Sequence, residues 1–334
     1  MNTKSYIVQR IATLFSRVSL RQAMANLIVS VLLLSSCLKE DTSNCPEQIR
    51  VYFDITTRAT GDAIQPEEVD RMNLYVFSGK GYYLGEYHDD YIANFDANYY
   101  IDCSDLLPGE YHFIAWAGKD EQDYSAIPSP FVKGKTKLEE ALLILDHADG
   151  IVTSTIHHLF HSELPATVTN EKVQRFDMPL IQHTNTINIY IEGFPAHADS
   201  YTFEIADNNS EYLFDRSFAD SQTTLKYVAD CTKDGTNQLF STLNVMRLAE
   251  DRHTPQLQIY NKTSGELLYP VGGQSGNLIS LIKRAYPEND FDLTHTYDIV
   301  FRFTDGGGEG DPTRFTVTIL VNGWEVRSQN NELT

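Results

Sequence analysis

The chain has 334 residues, 26 Lys and Arg against 46 Asp and Glu, and is 42% hydrophobic and 11% aromatic, an ordinary globular composition. A formal charge of −20 and the lack of any Lys/Arg cluster after residue 36 exclude the phosphate-neutralising surface that a duplex needs, so no nucleic-acid partner is expected. The first 36 residues hold Lys4, Arg10, Arg17 and Arg21 and no acid; without those four bases, 22 remain against 46 acids. So acidic a body suits a soluble exterior domain.

From Met24 to Leu34 runs an apolar stretch of 11 residues behind the basic leader, the length of a signal-peptide core and too short to span a bilayer. It ends in Leu34-Ser35-Ser36-Cys37, which resembles the bacterial lipobox, where a signal peptidase cuts before a diacylated cysteine. Residues 1–36 are therefore expected to be a lipoprotein signal peptide, and Cys37 the lipidated first residue, carrying diacylglycerol and an N-acyl chain such as palmitate. One acyl chain binds a membrane only reversibly, but two or three hold it firmly. No other cofactor is expected.

The following Lys39-Glu40-Asp41 resembles the export signal that takes some lipoproteins to the outer face of the outer membrane. In that oxidising space Cys45, Cys103 and Cys231 can pair, with one left over; Cys45 with Cys103 is the expected bridge, although spacing alone does not set connectivity.

After a lipidated tether at 37–47, strand patterns begin. Val51, Phe53 and Ile55 alternate with Arg50, Tyr52 and Asp54. Further strands are predicted over 72–78, 82–87, 99–103 and 111–117, with turns at Gly79-Lys80-Gly81 and Leu107-Pro108-Gly109. Thr136 and Glu139 have capping-box spacing ahead of Leu138, Ala141, Leu142 and Leu145, which predicts a short helix. The pattern renews near residue 180, where Ile187, Ile189 and Ile191 alternate with Asn188, Tyr190 and Glu192. Strands over 201–205, 223–228, 239–246, 257–260, 297–303 and 315–321 follow, with a second helix after Asn277. The expected fold is mainly β: two tandem antiparallel β-sandwich domains, 48–180 and 181–334, with one or two short helices.

No residue set carries a catalytic signature. His157, His158 and His161 have a zinc-like spacing but no HExxH glutamate and no third ligand, so no metal site is expected. The glycine runs at 272–276 and 306–310 lack the Lys-Ser/Thr of a phosphate loop and read as hairpin loops. No GxSxG elbow occurs.

The carboxyl end is more informative. Phe315, Val317, Ile319 and Val321 alternate with polar or smaller neighbours, Asn322-Gly323 is a type I′ turn signal, and Trp324 and Val326 begin a new alternation. This hairpin either closes the second sandwich or offers its backbone to another chain by strand addition.

The stretches Val69–Phe77, Leu107–Tyr111, Ala115–Gly118 and Val321–Trp324, set behind a lipobox and Cys45-Pro46, resemble the fimbrillin-A associated anchor protein family of type V pili. The resemblance implies two transthyretin-like domains and a non-enzymatic minor subunit held by lipid in the outer membrane, anchoring a fimbria at its base and limiting its length. Its partner would be the first stalk pilin, met through Phe315, Val317, Ile319, Val321 and Trp324. Stalk subunits of the family mature by cleavage after an arginine. A cut at Arg58 here would sever Cys37 from the body, so Arg58 is expected to stay intact. Two alternatives remain: a tip or accessory adhesin using Tyr82, Tyr83, Tyr99 and Tyr100, and a surface glycan-binding lipoprotein.

Overall fold

The computed structural model describes residues 48–54, 64–118, 123–153, 155–193, 201–220, 223–233, 239–252, 254–270, 275–305 and 314–332. Cys37, Lys39, Glu40, Asp41, Cys45, Arg58 and the 306–310 glycines lie outside them. The first strands are β1 (Gln48–Asp54), β2 (Arg71–Ser78), β3 (Tyr83–Asp89), β4 (Tyr100–Asp102), β5 (Gly109–Gly118), β6 (Tyr124–Ile127), β7 (Leu142–Leu145), β8 (Ile151–Val152), β9 (Leu159–Val168), β10 (Val173–Pro179) and β11 (Ile181–Gln182). Then come β12 (Thr184–Glu192), β13 (Tyr201–Asp207), β14 (Glu211–Leu213), β15 (Leu225–Asp230), β16 (Thr232–Lys233), β17 (Leu239–Met246), β18 (Gln256–Asn261) and β19 (Leu267–Tyr269). Helix α1 (Leu278–Ala285) precedes β20 (Thr296–Asp305), β21 (Arg314–Val321) and β22 (Trp324–Glu332). The protein is mainly β.

At the centre of the amino-terminal part is the sheet β11-β9-β5-β2-β3. Because side chains alternate along a strand, it presents two different faces. Leu74, Val76, Phe113, Ala115 and Phe160 pack against Val51, Phe53 and Met178 of the sheet β10-β1-β4, forming one apolar core. Tyr75, Phe77, Ile114 and Trp116, on the opposite face, join a second core. That core continues through Leu143 and Leu145 into Ile187, Ile189, Phe203, Tyr227 and Phe301 of the carboxy-terminal sheets, and so runs across residue 180.

The carboxy-terminal sheets are β16-β17-β12-β20-β21-β22 and β19-β18-β13-β15-β8. Strand pairing also crosses residue 180: β7 pairs with β14 in the small sheet β14-β7-β6, and β8 pairs with β15. Among the described residues most ladders are antiparallel and three pairs run parallel: β1 with β10, β12 with β20 and β15 with β8.

One expected helix is replaced. Thr136 does not cap a helix; its Oγ1 accepts from Val132 N at 2.9 Å, closing the turn before it. A single 3-10 turn, Leu138–Glu140, follows, and then β7, in which Leu143 and Leu145 are buried and alternate with Leu142 and Ile144. An all-apolar run has no readable period, and strand pairing with β6 and β14 decided its form. The second helix forms as expected. Asn277 accepts from Ser280 N at 2.7 Å, a cap worth about 1 kcal/mol, and Leu278, Leu281 and Ile282 face the core.

Candidate assembly site

The hairpin β21–β22 grows from its turn. Asn322 and Gly323 have φ of 45° and 85°, the two positive values that a type I′ turn demands. Asn322 then fixes the turn to β20: its backbone N–H donates to Asp298 O at 2.7 Å, and its Oδ1 accepts from Asp298 N at 2.6 Å. Tyr286, just after α1, donates its hydroxyl to Asn322 O at 3.1 Å. The tip is thereby held by both the sheet and the helix.

Within this hairpin the candidate contact residues separate. β21 is bonded along both edges, to β20 and to β22, and Ile319 and Val321 are fully buried. Phe315 and Val317 lie on the same strand, opposite Asp305 and Phe303 of β20. Trp324 starts the end strand β22 and is 64% exposed, whereas Val326, two residues on, packs against the core. A well-fixed turn thus carries an exposed indole beside the outer strand of a six-stranded sheet.

The other candidates lie elsewhere. Tyr83 is buried and Tyr99 packs between Phe53 and Phe95, so neither offers an open ring. Tyr82 is 37% exposed and Tyr100 38%. Tyr100 belongs to a stack on the outer face of β10-β1-β4: Arg50 lies 4.4 Å over it, its ring is 5.3 Å from Tyr52, and Arg175 lies 3.9 Å over Tyr52. Cys103 is fully buried, and burial pushes its thiol up to about 12.

The histidines do not converge. His157 pairs with Asp123 at 2.9 Å, His158 meets Thr184 Oγ1 at 3.1 Å, and buried His161 donates from Nε2 to Phe214 O at 2.8 Å. Among the described residues no group of three or more His, Cys, Asp or Glu could hold a metal ion. What sequence reading missed is that His161 adjoins Trp116, which in turn faces His183 beside Tyr212, with ring separations of 4.5, 5.2 and 4.3 Å. These residues come from three strands and a link, so no sequence spacing joins them.

The fold finds its counterpart in known proteins. The family described as fimbrillin-A associated anchor proteins Mfa1 and Mfa2 matches residues 42–330. The chain belongs to this family. It is 24% identical over 323 residues to the minor fimbrium anchoring subunit Mfa2 of Porphyromonas gingivalis, covering 90% of this chain and 92% of that one. The crystal structure of the fimbrial anchor protein Mfa2 from Porphyromonas gingivalis superposes with a TM-score of 0.68 at 19% identity, covering 85% of this chain and all of that one. A Bacteroides thetaiotaomicron VPI-5482 protein, provisionally assigned as polysaccharide binding, superposes with a TM-score of 0.70 at 23% identity, covering 84% of this chain and 98% of its own. At such identities the superpositions speak for the fold, and the family match extends over nearly the whole described body.

Proposed function

We propose that this member of the anchor family holds a fimbria at its base, with acyl chains on Cys37 in the outer membrane and the carboxy-terminal hairpin against the first stalk pilin. The reading is carried by the family match over residues 42–330, which begins five residues after the Leu-Ser-Ser-Cys sequence at 34–37. Lys39, Glu40 and Asp41 would route it to the cell surface, and its work there is mechanical rather than catalytic. Ending the fibre at the base also limits fibre length.

In this proposal β21 stays in its own sheet, because withdrawing it would strip Ile319 and Val321 from the core. The pilin is met along the outer side of β22 and at Trp324, by strand addition with an aromatic anchor. A Cys45–Cys103 bridge belongs to the same proposal; it would appear as a peptide pair that separates only on reduction.

The test replaces Cys37 with Ala in the native host and compares pilin on washed cells with pilin in the medium. Fibres shed into the medium, with the variant still secreted and folded, are expected. Fibres that stay attached at normal length would overturn the lipid anchor. Trp324→Ala leaves the fold intact and lowers stalk-pilin capture by about tenfold, the scale of an exposed aromatic anchor; unchanged capture would remove the hairpin from the contact.

A further inference from the structure

The two most exposed large aliphatic side chains among the described residues are Leu107, 75% exposed, and Val173, 70% exposed. The ladders place both at one end of the amino-terminal sheets. Val173 stands opposite Gln48 where β10 and β1 begin. Ile49 O accepts from Cys103 N at 2.7 Å, which brings the link from β4 to β5 to the same end. Leu107 lies in that link beside exposed Pro108, just before Gly109, which opposes Val168 at the end of β9. Single apolar residues scattered over a surface are ordinary, but the extremes of exposure gathered at one end mark a contact.

Neither tip is loose. The Tyr111 hydroxyl donates to Leu107 O at 2.6 Å, and Leu106 packs against the core. The link from β9 to β10 is braced by buried Gln174: its Oε1 accepts from Thr169 N at 2.9 Å, and its Nε2 donates to the carbonyls of Thr169 and Glu171, each at 3.1 Å. Gln48 N donates to Lys172 O at 2.7 Å, which fixes the residue before Val173. Both aliphatic groups are therefore held outward by ordered loops, so little further ordering is needed on binding. The exposed charges beside them in the chain, Asp105 and Glu171 against Lys172, are mixed, and apolar contact rather than charge is what this end offers.

We infer that this end docks on a lipid bilayer, with Leu107 and Val173 entering the boundary between headgroups and acyl chains. The inference rests on the proposed lipid at Cys37. In sequence Cys37 precedes Gln48 by eleven residues, which span at most about 40 Å, and Gln48 is the residue opposite Val173. An acylated Cys37 keeps the end that carries both tips within that reach of the membrane. A bilayer also suits the form of the surface, since it accepts side chains from separate loops, whereas a protein partner needs one contiguous apolar patch. Two partly inserted aliphatic side chains favour the docked state by a factor on the order of a hundred. That is too little to hold a free protein on a membrane and ample for one already tethered there.

For the test the tether is supplied artificially, so that the result does not depend on acylation. The chain from residue 38, the proposed mature body without its acylated cysteine, carries an amino-terminal hexahistidine tag. It is held on phosphatidylcholine vesicles containing a nickel-chelating lipid, with or without brominated acyl chains. Trp324→Phe removes the exposed indole, and buried Trp116 remains as a constant background. In that chain Leu107→Trp places an indole at the docking end. Tyr91→Trp places one at the opposite end of the central sheet, since Tyr91 follows β3, which ends at Asp89 opposite Met72. Brominated lipid is expected to quench the Leu107→Trp emission about twofold and the Tyr91→Trp emission hardly at all. Adding Val173→Asp should remove most of the quenching while the melting profile stays unchanged. No quenching at Leu107→Trp, equal quenching of the two indoles, or quenching that Val173→Asp leaves intact would overturn the inference. Cys37→Ala tests the lipid separately: fibres shed there, with no quenching here, would leave the anchor standing and remove the docking end alone.

Discussion

The two faces of the central sheet are built on opposite plans. Leu74, Val76, Phe113, Ala115 and Phe160 on one face join a hydrophobic core with Val51, Phe53 and Met178 and are held by close packing. The other face carries Trp116 and His161, which meet His183, Tyr212 and Phe214 from beyond residue 180. His183 is wholly buried, and neither ring nitrogen has a hydrogen-bond partner among the described residues. The first face supplies stability alone. The second gives up some stability for polar groups that join the amino-terminal sheet to the rest of the chain in one arrangement.

This contrast can be broken by measurement. Phe113→Ala on the dry face should cost about 3–5 kcal/mol in denaturant unfolding, as a fully buried ring leaves a cavity that neighbours cannot fill. A loss below about 1 kcal/mol would mean that the apolar face is loosely packed and the comparison fails.

The polar face should be sensitive to acid. Burial holds His161 neutral, lowering its pKa from 6.5 to about 3, with Arg216 and Arg247 acting in the same direction against the Phe214 carbonyl and Asp215. His183 shifts the same way, through burial and then His161, Arg247, Arg216 and His295. Below pH 6.5 the unfolded chain takes protons that the folded chain refuses, so stability is full above that pH and falls as the pH drops toward 3. Each imidazole contributes at most about 1.4 kcal/mol per pH unit in that window. His183→Phe should leave stability at pH 7.5 within about 1 kcal/mol, because it removes an unmet polar group and keeps the ring, and it should flatten the slope between pH 6 and 4. An unchanged slope would show that other groups govern the acid response.

A third substitution sharpens the comparison from outside both faces. Gly323→Ala in the terminal turn, where φ is 85°, should cost about 1 kcal/mol and leave the acid slope untouched. A change in slope would couple the hairpin to the histidine junction.

Much of this architecture is legible in the sequence where one face of a strand is polar. Arg50–Asp54, Thr186–Glu192 and the Asn322-Gly323 hairpin all declare themselves by alternation and turn chemistry. β9 does not: its first four residues, Leu159, Phe160, His161 and Ser162, are all buried, which erases the period, and Pro165 reads as a breaker. Pro165 is tolerated because β11 reaches only His161 and Phe160, so no neighbour on that side asks for the missing N–H. β7 misleads for the related reason that Leu-Leu-Ile-Leu carries no alternation at all. The histidine junction was illegible because it arises from register: His161 stands opposite Trp116 only in the β5–β9 ladder.

The position of β1 has a mechanical consequence. It is the middle strand of its sheet, lying beside β10 along its whole length from Gln48 opposite Val173 to Asp54 opposite Pro179, and beside β4 on its other side. A force applied along β1 loads both ladders in shear, so that many hydrogen bonds share it and must yield together. A strand peeled from an edge would release them one at a time. A strand so placed resists a pull along its own axis far better than an edge strand would.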